Sequence, residues 1–127
     1  MEILENYPAL VGKTIAFSWM AQFSNTIVFA TTENEVLIAK FSIDYDNDES
    51  EQIEILGKAR AIHYLNSDKG KWPREQLGKL GIFDIEDFKK REAEKFEKEK
   101  AARAIKLEEK ERHEYERLKA KFENKEN

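Results

Sequence analysis

Asp84 to Glu123, DIEDFKKREAEKFEKEKAARAIKLEEKERHEYERLKAKFE, contains neither Gly nor Pro, and neither residue follows it to the end of the 127-residue chain. A stretch without a breaker, rich in Glu, Lys, Arg and Ala, predicts one continuous helix. Asp84 suits the cap position, Glu86 and Asp87 place negative charge at the positive end of the helix dipole, and Phe83 and Phe88 take hydrophobic-staple positions. Glu94 with Lys98, Glu99 with Arg103 and Glu108 with Arg112 are opposite charges at i, i+4 spacing, each contributing about 0.2–0.5 kcal/mol.

The apolar residues of this helix form a narrow stripe. Ile82, Ala93, Ala104 and Tyr115 are eleven apart, as are Ile85, Phe96, Leu107 and Leu118, with Phe122 beyond. A spacing of eleven predicts a nearly straight or slightly right-handed association rather than a leucine-zipper supercoil. Forty residues make a rod of about 60 Å, while the preceding residues fit a globule with a radius of gyration of about 12 Å. The rod is expected to overhang its domain. The stripe residues Phe96, Ala104, Leu107, Tyr115, Leu118 and Phe122 are therefore the expected oligomer or partner interface, and a homo-oligomer is the first expectation.

Upstream, residues 1–83 read as a β-rich globular domain, and 84–127 as the helical extension. Met1 to Leu10 reads as a short helix or an arm limited by Pro8. Thr14 to Phe23, Thr26 to Thr31 and Val36 to Tyr45 are rich in β-branched and aromatic residues, and short turns separate them. Hairpin-length connections predict an antiparallel meander. Alternation groups Ile15, Phe17 and Trp19 with Ile27 and Phe29, and with Leu37, Ala39, Phe41 and Ile43. Gln52 to Leu56 reads as a fourth strand. Lys58 to Leu65 stays open between strand and helix, with Ala59, Ile62 and Leu65 favouring helix, and Pro73 opens a second short helix. The fold class is α+β: a small antiparallel sheet of about four strands, two short helices and a long charged C-terminal helix.

Composition excludes several functions. With 40% hydrophobic and 38% charged residues, the chain reads as a soluble, cytoplasmic protein, and no run is long and apolar enough for a membrane span. Glu2 and Glu5 near the start, with no long apolar run, argue against a secretory signal. The absence of cysteine removes disulfides, thiolate nucleophiles and zinc–thiolate sites.

Charge is uneven despite the net −4. Asp44, Asp46, Asp48, Glu49, Glu51 and Glu54 form an acidic run, whereas Lys58, Arg60, Lys69, Lys71, Arg74 and Lys79 face only Asp68 and Glu75. The basic segment interleaves its cations with His63, Tyr64 and Trp72, which supply stacking faces and donors for a planar anion. Lys58, Arg60, His63, Tyr64, Lys71, Trp72 and Arg74 are the candidate ligand-binding residues, set against the blander reading of a solvated face. Binding along duplex nucleic acid is not expected, because the C-terminal helix has no basic stripe.

Other motifs fail on inspection. Asp44, Asp46 and Asp48 resemble the start of an EF-hand loop, but Glu49 stands where the turn needs Gly and Ile55 where the closing Glu belongs. Gly12-Lys13-Thr14 precedes a strand, and Tyr7 occupies the first glycine position of a P-loop. His63 and His113 have no HExxH or Glu-x-x-His context.

The expected function is thus a non-catalytic binding protein that needs no cofactor or metal. It captures a small anionic, nucleotide-like ligand or an acidic surface. The alternative is a protein-interaction module or small inhibitor that acts through its C-terminal helix. A β-rich head, a long charged helix and no catalytic motif are together common among small accessory or inhibitory proteins, those of bacteriophages included.

Overall fold

A computed structural model describes residues 1–20, 24–44, 46 and 50–125. In chain order the elements are β1 (Glu2–Ile3), β2 (Ile15–Met20), β3 (Thr26–Thr31), β4 (Glu35–Asp44), β5 (Ser50–Ile55), α1 (Lys58–Asn66), α2 (Lys71–Lys79) and α3 (Ile85–Lys125). The chain divides into a unit of Met1–Ile85 and a second unit that begins at Glu86. The α+β class and the long C-terminal helix are as the sequence predicts. Residues Ala21 to Phe23, Tyr45 and the acidic positions Asp48 and Glu49 lie outside the described residues.

β2, β3 and β4 pair antiparallel in sequence order, and β5 returns antiparallel along the far half of β4. β1 makes the sheet mixed rather than purely antiparallel, because it runs parallel to the first residues of β4 on the same edge that β5 uses further along. Leu4 N–H donates to the Val36 carbonyl at 2.8 Å, and the Leu4 side chain buries with Leu37 and Ala39. A 3₁₀ turn at Tyr7–Leu10 follows, where the Asn6 side chain caps the Ala9 N–H at 3.0 Å.

Register assigns the faces, since antiparallel partners point the same way. Val28, Ala30, Val36 and Ile38 share one face and are fully buried, while Ile27, Phe29, Leu37, Ala39 and Ile55 share the other. This corrects the sequence-based grouping. Phe17 pairs with Ala30 and Trp19 with Val28, so both lie opposite Ile27 and Phe29. The register slips between Ile15 and Phe17, and such a bulge moves Ile15, paired with Thr31, to the other face from its i+2 neighbour.

α1 and α2 cover the first face. Ala61 and Leu65, four residues apart, point inward from α1, and Leu77 does so from α2; all three are fully buried. Each of the two leucines contributes about 1.5–3 kcal/mol by leaving water. α1 settles the open segment as a helix. Its C-terminus is closed by Ser67 Oγ donating to the Tyr64 carbonyl at 2.6 Å and by Arg74 Nη1 donating to the Leu65 carbonyl at 2.6 Å.

The β3–β4 hairpin is tight. Asn34 adopts φ 62, a left-handed value that Asn tolerates, and Thr31 Oγ1 donates to Glu35 Oε1 at 3.0 Å. Lys13 reaches this turn from the segment that leads into β2, forming ion pairs with Glu33 and, at 3.2 Å, with Glu35.

α3 carries Glu86 and Asp87 in its first turn. Ion pairs on it join Arg91 to Asp87 at 2.9 Å and Arg112 to Glu108 at 4.0 Å, whereas among the described residues the expected pairs of Glu94 with Lys98 and Glu99 with Arg103 are not formed. Among the described residues no helix is long and apolar enough to cross a membrane.

Candidate functional site

Along β4 the helix-facing side reads Val36, Ile38, Lys40: buried, buried, then exposed. Lys40 stands where the helical cover ends, flanked on the same face by Thr26 of β3 and Glu54 of β5. Arg60, His63 and Tyr64 come to this place from α1, because spacings of three and four residues put them on one helix face. The turn at Asp68–Gly70 adds Asp68 and Lys69.

Together these groups form a cleft of about 590 Å³, lined by Lys40, Leu56, Ala59, Arg60, His63, Tyr64, Ser67, Asp68 and Lys69. An adjoining hollow of about 470 Å³ shares Lys40, Tyr64 and Lys69 and adds Trp19, Ser24, Asn25 and Thr26. Both fall within the range of small-molecule sites. The Tyr64 hydroxyl lies 3.4 Å from the Lys69 carbonyl, to which it donates, and burial raises its pKa against a smaller opposing effect of its hydrogen bond with Thr26.

Electrostatically the cleft is divided. The Arg60 guanidinium is ion-paired with Glu54. Among the described residues Lys40 and Lys69 have no carboxylate partner, so they are its available cations, with Asp68 on the rim. Trp19 and Tyr64 supply aromatic surface. Ser67 Oγ, in the same cleft as His63, donates to a helix carbonyl. The serine hydroxyl is thus engaged with the end of α1, and the cleft presents charged and aromatic groups. Among the described residues no cluster of His, Asp and Glu is placed to hold a metal ion.

The structure brings Arg60, His63 and Tyr64 together and places the other sequence candidates elsewhere. Lys58 opens α1, and its N–H donates to Glu5 Oε1 at 3.3 Å. Lys71 and Trp72 are exposed on the first turn of α2 and line neither hollow. Arg74 is buried beneath the end of α1, where it donates to main-chain carbonyls. Sequence reasoning passed over Lys40, Lys69, Trp19 and Thr26 as site residues, although Lys69 stood in the basic segment and Lys40 left a signal: it is the one cation in the apolar run VLIAKFSI.

Two other surfaces are open. On the opposite sheet face, Tyr7, Leu10, Ile27, Phe29, Leu37, Ala39, Ile53 and Ile55 line an apolar trough of about 490 Å³. On α3, Phe96, Ala104, Leu107, Tyr115, Leu118 and Phe122 are all exposed.

No curated protein and no solved structure matches the chain. The family model described as bacteriophage BPS1 gene 21 protein matches residues 1–124, which takes in the sheet, the cleft and nearly all of α3. With almost its whole length matched, the chain belongs to the bacteriophage BPS1 gene 21 protein family.

Proposed function

We propose that this phage-family protein is a non-catalytic accessory protein that captures a small, planar, anionic ligand of nucleotide type in the cleft between α1 and the sheet. The observation that carries this reading is the convergence of Lys40 and Lys69, both without carboxylate partners among the described residues, beside Tyr64 and Trp19. Two ammonium groups take a phosphate as point charges, and an aromatic face takes a base by stacking. Asp68 accepts from a sugar hydroxyl or an exocyclic amine, a role that explains a carboxylate within an anion site.

Isothermal titration calorimetry of the full-length protein with mononucleotides, dinucleotides and cyclic nucleotides tests the reading, with inorganic phosphate as a control. Saturable binding of a nucleotide, stronger than that of phosphate and weakened in Lys69→Ala, is the expected result. Heats that never exceed the phosphate control across the panel would remove the proposal.

A further inference from the structure

We infer that α3 associates with α3 of a second copy of this chain, antiparallel, with Leu107 of the two chains meeting at the two-fold axis. α3 is one unbroken helix over Ile85–Lys125. Within it Phe96, Leu107 and Leu118 are eleven residues apart, so they share one face with a drift of about 20° per step. In the single chain their exposures are 57%, 58% and 42%. The row demands an apolar partner, and the charges around it say which one.

Arg103 and Lys100 lie four and seven residues before Leu107, and Glu111 and Glu114 lie four and seven residues after it. All four fall within about 40° of Leu107 around the helix axis. The seam is basic on one side of Leu107 and acidic on the other, at mirrored spacings. Among the described residues none of these four groups joins an ion pair within its own chain; the α3 pairs are those of Arg91 with Asp87 and Arg112 with Glu108.

In an antiparallel pair centred on Leu107, a residue n positions before it faces the residue n positions after it in the other chain. Arg103 then meets the partner's Glu111, Lys100 meets the partner's Glu114, and Phe96 packs on the partner's Leu118. Symmetry doubles each contact around a single Leu107–Leu107 layer, as an isologous interface requires. A parallel pair in register sets Lys100, Arg103, Glu111 and Glu114 each against its own copy, and like charges face each other throughout.

The test uses the full chain, which has no native cysteine and so accepts single labels cleanly. Sedimentation equilibrium is expected to show a dimer. Spin labels at Lys95→Cys and Lys119→Cys, twelve residues on either side of Leu107, are each expected about 36 Å or more from their copy, and at Glu108→Cys under about 20 Å. Glu111→Lys with Glu114→Lys is expected to raise the dimer dissociation constant at least about tenfold, and adding Lys100→Glu with Arg103→Glu to restore it. Circular dichroism checks that each variant keeps its helix. A monomer, short distances at all three labels, or undiminished association of the Glu111→Lys, Glu114→Lys variant overturns the inference.

Discussion

Arg74 reaches from α2 to the end of α1 and donates through Nη1 to the main-chain carbonyls of Leu65, at 2.6 Å, and Ser67, at 2.9 Å. Its side chain is nearly enclosed, with the residue 8% exposed. The Leu65 carbonyl lies in the last turn of α1, where carbonyls lack intrahelical partners, and the buried guanidinium satisfies it, while the Ser67 carbonyl accepts from the Gly70 N–H at 3.2 Å as well. Arg74→Ala is therefore expected to lower unfolding free energy by about 2–3 kcal/mol, because two charged hydrogen bonds are lost and the Leu65 carbonyl is left without its donor. Arg74→Lys should recover only part of this, since an ammonium lacks the planar fork. Urea denaturation of the three proteins measures both effects.

Gly70 presses its backbone against the same helix end. A Cβ built there stands 2.1 Å from the Tyr64 carbonyl oxygen and 3.0 Å from the Leu65 Cα, both main-chain atoms that no rotamer change can move. Gly70→Ala must displace the end of α1 and with it Tyr64. The expected cost is about 1–3 kcal/mol, accompanied by weaker ligand binding because Tyr64 and the neighbouring Lys69 shift together. Thermal unfolding and calorimetry on the same sample check the two readouts.

The ion pairs at the β3–β4 turn make stability depend on pH at both ends of the scale. Hydrogen bonding to Lys13, reinforced by its charge, holds the Glu33 carboxyl below its ordinary value of 4.5. Its contribution is present above that value and is lost as pH falls through the lowered folded value. Hydrogen bonds to Glu33 and then Glu35 raise Lys13 above 10.5, so its contribution is full below 10.5 and is lost as pH rises through the raised folded value. Lys13→Met should flatten both limbs of the denaturation midpoint against pH relative to the parent protein. Parallel curves for the two proteins would show that the ion pairs carry none of the pH dependence.

Local chemistry made α3 legible, since neither Gly nor Pro interrupts Ile85–Lys125. β3 was equally plain, its run of β-branched residues ending at Thr31 as expected. β1 was not, because two residues show no periodicity and that strand exists only through pairing with Glu35 and Val36. The face of Phe17 and Trp19 was misjudged for a single reason, the slip between Ile15 and Phe17, which no alternation pattern records. In the cleft, helical spacing does unite Arg60, His63 and Tyr64. Lys71, Trp72 and Arg74 follow closely in sequence but belong to α2, and Lys40 arrives from a distant strand, so nearness along the chain was a poor guide to nearness in space.

That difference separates the cleft from a merely basic segment. Lys40 and Lys69 line both hollows, whereas Lys71, two residues beyond Lys69, lines neither and is exposed on α2. If an anion sits between Lys40 and Lys69, removing either ammonium deletes a charge-assisted hydrogen bond of about 1.5–3 kcal/mol, an affinity loss of roughly tenfold to a hundredfold. Lys71→Ala keeps the cleft intact, and its affinity should stay within about twofold of the parent at 0.15 M salt, where more distant charges are screened. All three positions are exposed, and their alanine variants should unfold within about 0.5 kcal/mol of the parent. Binding differences can then be read as contacts rather than as damage to the fold. Equal losses at all three positions would instead mean that ligands respond to the net charge of the segment and not to a cleft.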